Sequence, residues 1–191
     1  MITAIDKHTA LVLIDFQKGV LKMDTVHPIR EVVDKAALLV AAFRKAGLPI
    51  VVVNVVPTGA AWLKSRKDMQ SPAGATAPAA DFADIVEDIN SQPGDIFITK
   101  KTWSAFYNTP MHDELQKRQV TGIVMAGVST SAGVEGTARA ASELGYNISF
   151  ATDAMTDRVA EAHQNSINII FPRLGERGTS AEIIEKLNSR V

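Results

Sequence analysis

Three groups of residues in this chain could do chemistry, and each stands where an apolar run ends. Leu11-Val-Leu-Ile14 stops at Asp15, Ile96-Phe-Ile-Thr99 stops at Lys100, and Ile123-Val-Met-Ala126 stops at a small-residue stretch from Gly127 to Gly136. A carboxylate half buried beside apolar walls is able to act as a general acid or base with a tuned pKa. It is also suited to capping a backbone turn. Lys101 follows Lys100, so either lysine could be an exposed amine. The third stretch, Gly-Val-Ser-Thr-Ser-Ala-Gly-Val-Glu-Gly, would present backbone N–H groups at a helix start, where an oxyanion or carboxylate can be held. Small residues there equally let a helix start pack closely on a sheet. The stretch does not fit G-x-G-x-x-G, lacks the Gly-Lys-Ser/Thr of a phosphate loop, and does not place Ser129 or Ser131 in a G-x-S-x-G elbow. The chain has no cysteine. Any nucleophile is therefore something other than a thiolate, and disulfides and thiolate metal sites are excluded.

These residues need elements that bring them together. The runs 11–14 and 48–56 are continuously apolar, as strands buried on both faces of a parallel sheet are. Between them, residues 28–46 carry Val32, Val33, Ala36, Leu39, Val40 and Phe43 on one helical stripe that Gly47 ends. The alternation continues with a strand at 96–99, then a helix at 110–118 capped by Thr109 with Pro110 at its first position. A strand at 120–126, a helix at 133–144 closed by Gly145, a strand at 147–151 and a helix at 159–170 follow. Thr179-Ser-Ala-Glu182 has the spacing of a capping box for a last helix, and residues 173–178 leave room for a short sixth strand. Such alternation predicts an α/β fold, a three-layer α/β/α sandwich around a six-stranded, mostly parallel, Rossmann-like sheet. The acid and the lysine would then share the rim where open α/β folds place their ligand crevice.

Residues 1–191 read as a single domain with a long loop or lid insertion at about 57–94. That insertion holds Trp62, a charged patch at 64–68, a low-complexity tract at 71–80, and a short helix expected within 81–90. With 46% hydrophobic and 21% charged residues the chain is globular in composition, and 191 residues bury a core without staples. A net charge of −1 leaves no basic stripe for nucleic acid, and the apolar runs are too short to cross a bilayer. The expected partners are a small-molecule substrate and further copies of the chain, in the cytoplasm, with no nucleic acid and no membrane. His8, His27, His112 and His163 fall on separate elements, which is poor spacing for zinc and suits solvent-facing histidines. Neither a metal nor a cofactor is expected. Phe16, Trp103, Phe106 and Tyr107 flank the acid and the lysine and could wall an apolar pocket for a planar substrate, with core packing the competing reading for Phe16 and Phe106.

Taken jointly, Thr9-Ala-Leu-Val-Leu-Ile-Asp-Phe-Gln17, Lys100-Lys-Thr-Trp-Ser-Ala-Phe106, the passage from Ala126 to Arg139 and Asp153-Ala-Met155 resemble the isochorismatase-like hydrolase superfamily, in the right order along nearly the whole chain. That family includes nicotinamidases and other cysteine amidohydrolases. The resemblance implies a catalytic set at Asp15, Lys100 and Gly133, with glycine where most relatives place the nucleophilic cysteine. It also implies an oxyanion-binding backbone at Val128, Ser129, Ala132 and Gly133, with a cis Val128–Ser129 peptide. In the isochorismatase branch, which shares the glycine, the aspartate is thought to protonate a vinyl ether while water completes hydrolysis. Asp15 would then be the proton donor or the base that activates water, on an amide C–N or a vinyl-ether bond. A non-catalytic binding or assembly role and a phosphate-binding α/β domain are the competing readings. Family members form dimers, tetramers or octamers.

Overall fold

A computed structural model describes residues 1–68 and 78–189. The part of the low-complexity tract at 71–77 lies outside the described residues. The order of elements is β1 (Thr9–Ile14), α1 (Lys18–Leu21), α2 (Ile29–Lys45), β2 (Ile50–Val55), β3 (Ile96–Lys100), α3 (Met111–Lys117), β4 (Gly122–Val128), α4 (Glu135–Glu143), β5 (Asn147–Thr156), α5 (Ala160–Asn165), β6 (Glu176–Gly178) and α6 (Ser180–Asn188). All six strands are parallel, in the spatial order β3-β2-β1-β4-β5-β6. The order reverses between β1 and β4, so their C-terminal ends flank the switch-point crevice of a doubly wound sheet.

Two apolar layers sandwich the sheet. On one face Val12, Ile14, Val53, Ile98 and Met125 pack with Met111 and Leu115 of α3 and with Ala138 and Ala141 of α4. On the other, Leu11, Leu13, Val52 and Val124 pack with the predicted stripe of α2 and with Ile183 and Leu187 of α6. The central strands β1 and β4 are buried along their whole length, which is why they read as unbroken apolar runs. β3 lies at the edge and alternates instead, leaving Phe97 54% exposed. The capping box forms as expected: Thr179 Oγ1 accepts from the Glu182 amide while the Glu182 carboxylate accepts from the Thr179 amide.

Several elements depart from expectation. β5 runs to Thr156 because its pairing with β4 slips: Met125 faces Phe150 but Gly127 faces Met155, so extra residues bulge out and the strand resumes. Residues 81–90 form no helix beyond a single tight turn at Glu87–Ile89. Their carbonyls and amides are spent on Phe16 and α1 instead, with Lys18 N donating to Asp84 O, Gly19 N to Phe82 O, and Val86 N to Phe16 O. Pro110 caps α3 rather than opening it, while Thr109 Oγ1 accepts from the Met111 amide. The helical course after β4 begins at Thr130, three residues early, as a wide π-type turn over Thr130–Val134 that precedes α4. A similar turn, Ser166–Ile170, ends the helix expected at 159–170. Among the described residues no helix is long and apolar enough to cross a membrane.

Candidate active site

Asp15 leaves β1 with a left-handed backbone, φ 56°, a conformation that Asp tolerates better than most side chains. Its amide is bound to Val53 O and its carbonyl accepts from the Gln17 amide, so the residue is held on both sides as the chain turns. Gln17 anchors that turn. Fully buried, its side chain donates to Val55 O (3.1 Å) and Phe82 O (3.0 Å) and accepts from the Val55 amide (2.7 Å), tying the ends of β1 and β2 to the insertion.

Lys100, the last residue of β3, reaches across β2 to Asp15. Its Nζ donates to Asp15 Oδ2 at 2.7 Å and to Thr102 O at 3.2 Å. Asp15 is 5% exposed and Lys100 2%, whereas Lys101 is exposed, which resolves which lysine belongs to the site. Burial pushes the Asp15 carboxyl up from 3.8 to about 6, against the opposing pull of the Lys100 charge and hydrogen bond. Asp15 Oδ1 is buried with no hydrogen-bond partner among the described residues.

The third strand end completes the arrangement. Gly127 lies against β1 so closely that a Cβ there would stand 2.4 Å from Ile14 O, so only glycine lets β4 deliver the following turn. The Val128–Ser129 peptide is cis, at the position the resemblance implies. The wide turn then lays Gly133 on the ion pair: a Cβ on it would be 3.1 Å from Asp15 Oδ2 and 3.5 Å from Lys100 Nζ. Asp15, Lys100 and Gly133 therefore meet at one point. The amide of Ala132 does not face that point freely, because it donates to Ser129 O at 3.2 Å within the turn, as does that of Val134.

The expected aromatic wall is only partly present. Trp103 is 57% exposed and, with Trp62 and Tyr107, lines a cavity of about 740 Å3 that also touches Lys67, Lys101 and Thr102. Trp62 Nε1 donates to Lys101 O at 2.6 Å, and its ring meets Trp103 edge-on at 6.3 Å. Thr102 joins this cavity to the ion pair, since its carbonyl binds Lys100 Nζ. Phe16 and Phe106 take no part in the wall. Phe16 points to the α2 face of the core, and Phe106 stacks on Tyr146 at 5.8 Å on the opposite face. Of the histidines, His163 departs from expectation: it is 5% exposed and its ring meets His27 at 4.7 Å. Neither Gln17 nor His163 stands out by type in the sequence, beyond Gln17 following an acidic strand end. Among the described residues no group of three or more His, Asp or Glu is placed to hold a metal ion.

A doubly wound α/β sheet with a buried acid, a lysine and a tight turn converging at its switch point defines an α/β protein whose polar site lies at the strand ends. The isochorismatase domain model matches residues 9–182, and the chain belongs to that family. It is 41% identical over 180 residues, 94% of each chain, to the isochorismatase family protein YwoC of Bacillus subtilis, whose function is uncharacterised. It is 25% identical over 187 residues, 93% of this chain and 86% of the other, to a maleamate amidohydrolase of Pseudomonas putida. An isochorismatase family protein from Burkholderia thailandensis superposes with a TM-score of 0.89 at 31% identity, covering 97% of this chain and 98% of that one.

Proposed function

We propose that this chain hydrolyses a C–N bond of a small, carboxylated amide-type molecule, with water in place of a thiol and Asp15 as the proton-transfer group. The observation that carries this reading is the position of the missing side chain at Gly133. The point 3.1 Å from Asp15 Oδ2 and 3.5 Å from Lys100 Nζ is also 2.9 Å from Ile14 Cγ2, tight for a carbon. A water oxygen cannot occupy that point itself, a bond length from Gly133 Cα; we place it further out in the same direction, in van der Waals contact with the glycine and within reach of Asp15 Oδ2.

Asp15 takes a proton from that water as its oxygen bonds to the substrate carbonyl carbon and the C=O electron pair moves onto oxygen. Collapse of the tetrahedral intermediate breaks the C–N bond, and the proton on Asp15 passes to the leaving nitrogen. The products are a carboxylic acid and ammonia or an amine. Lys100 holds Asp15 in place and moderates its pKa. The cavity of Trp62, Trp103 and Tyr107, with Lys67 and Lys101 at its edge, suits a planar substrate carrying a carboxylate. The amidohydrolase among the relatives favours C–N over vinyl-ether cleavage.

A second reading, a non-catalytic small-molecule-binding or assembly protein, is favoured by the near-complete burial of the ion pair and by its absence from the cavity lining. Ammonia release from a panel of maleamate-like and ureido acids, with wild type beside Asp15→Asn, separates the two. Turnover abolished by the substitution supports hydrolysis. Tight binding without turnover in either protein supports the second reading. We also propose a homo-oligomer of two, four or eight copies, which light scattering counts directly.

A further inference from the structure

A polar network at the end of β5, outside the proton-transfer path, bears on the turn that carries Gly133. Thr130, the first residue of that turn, is fully buried with Oγ1 2.9 Å from His163 Nδ1 on α5. Ser131 donates its amide to Asp157 Oδ2 at 2.7 Å, while Asp157 Oδ1 accepts from the amides of Arg158 (2.7 Å) and Val159 (3.3 Å). The His163 ring meets the His27 ring edge-on, 4.7 Å between centroids. His27 is fixed in turn by Thr156 Oγ1, 3.2 Å from its amide and 3.0 Å from its Nδ1, and Val26 N donates to Asp157 O at 2.8 Å. Residues 26–27, the end of β5, α5 and the first two residues of the turn are thus one hydrogen-bonded unit, with Gly133 two residues further on.

Charge decides when this unit holds. The charged groups that face His163 are His27, from the segment before α2, and Asp157, just after β5. Burial and the His27 charge both lower the pKa of His163, outweighing Asp157, whose carboxylate is already shared among three amides. A folded value below the unfolded one means that the stability from a neutral His163 is complete above the ordinary histidine range and is lost as pH falls.

We propose that His163 is a positioning residue that, through Thr130, holds the turn placing Gly133 against Asp15 and Lys100, and that the His27–His163 contact makes this hold release in acid. The functional meaning rests on the reading of Asp15 as the reacting centre, but the motion does not. It is therefore tested without substrate, by hydrogen–deuterium exchange of the amides at 129–134 between about pH 7.5 and about pH 5, corrected for intrinsic exchange, with the β4 amides as a control for global opening. In wild type, acid raises turn exchange roughly tenfold relative to β4. His163→Phe raises it at both pH values. His163→Gln, which keeps a hydrogen-bonding side chain but cannot titrate, restores protection and abolishes the acid response; His27→Phe weakens the response and serves if the His163 variants fold poorly.

Because Asp15 also titrates near pH 6, the response must persist in Asp15→Asn. Its disappearance there, or turn exchange in His163→Phe equal to wild type, overturns the proposal. An exchange pattern as described in a protein that turns over no compound refutes the hydrolase reading and leaves the positioning role standing.

Discussion

Lys100 Nζ lies 2.7 Å from Asp15 Oδ2, joining the ends of β3 and β1 across the intervening strand, with both residues almost wholly removed from solvent. The pair is asymmetric. Only one carboxylate oxygen is bound, and burial outweighs the lysine in setting the carboxyl at about 6. Ionising Asp15 in the fold is therefore unfavourable. Its folded pKa lies above its unfolded one, so the stability it contributes is complete below about 3.8 and lost as pH rises through about 6. From the two values the loss is about 3 kcal/mol. Urea titrations of wild type and Asp15→Asn should show the stability difference moving by roughly that amount against wild type between about pH 4 and about pH 7.

Removing the lysine isolates the burial effect. In Lys100→Met the charge and hydrogen bond that lower the Asp15 pKa are gone, so the carboxyl should be protonated at neutral pH. Infrared difference spectroscopy should show a protonated-carboxyl C=O band at about pH 7 in this variant that is much weaker in wild type. Equal bands in both proteins would mean that Lys100 does not set the charge on Asp15.

The position of Gly133 yields a steric prediction. A methyl group there would press on Ile14 Cγ2 at 2.9 Å and stand 3.1 Å from Asp15 Oδ2. Gly133→Ala should fold with a loss of about 1–3 kcal/mol from overpacking, yet lower turnover roughly 100-fold by crowding the space assigned to water. Thermal melts and ammonia release separate the two effects. Unchanged turnover would place the water elsewhere.

Much of this site was legible in the sequence because each part sits at the end of a strand whose buried pattern is local. Asp15, a lysine at 100 or 101 and the turn after Ala126 could be placed on one rim from apolar runs alone, and burial then separates Lys100 from the exposed Lys101. What could not be read depends on distant packing. Phe16 and Phe106 are apolar residues near polar ones, and only the sheet shows that they turn into its opposite faces. His163 becomes buried because the segment around His27 covers it, a contact between residues 136 positions apart. The segment 81–90 has helical composition, but its backbone groups bond to Phe16 and α1, a tertiary preference that outweighs propensity.

Gln17 is the clearest part of the site with no mark of its own in the sequence. Replacing it with Leu leaves the Val55 amide and the carbonyls of Val55 and Phe82 without their side-chain partner. Phe82 O keeps the Gly19 amide, so the Val55 groups carry the loss, and at about 1–3 kcal/mol for a buried group left unsatisfied Gln17→Leu should destabilise the fold by roughly that amount. Hydrogen exchange should rise at residues 82–86, where the insertion meets the turn after β1, before it rises in β4. Uniform change along the chain would mean that Gln17 does not tie the insertion to the site.

Under the proposed function, Asp15 moves the proton in a hydrolysis in which water is the nucleophile. The most direct test is the pH dependence of kcat/KM for the best amide-type substrate, measured for wild type and Asp15→Asn. A base that must be ionised predicts a rate rising with pH and levelling above about 6 in wild type, with background rates at every pH in the variant. A rate that instead falls as pH rises through that value would make Asp15 the acid, and wild-type turnover in Asp15→Asn would remove it from the chemistry altogether.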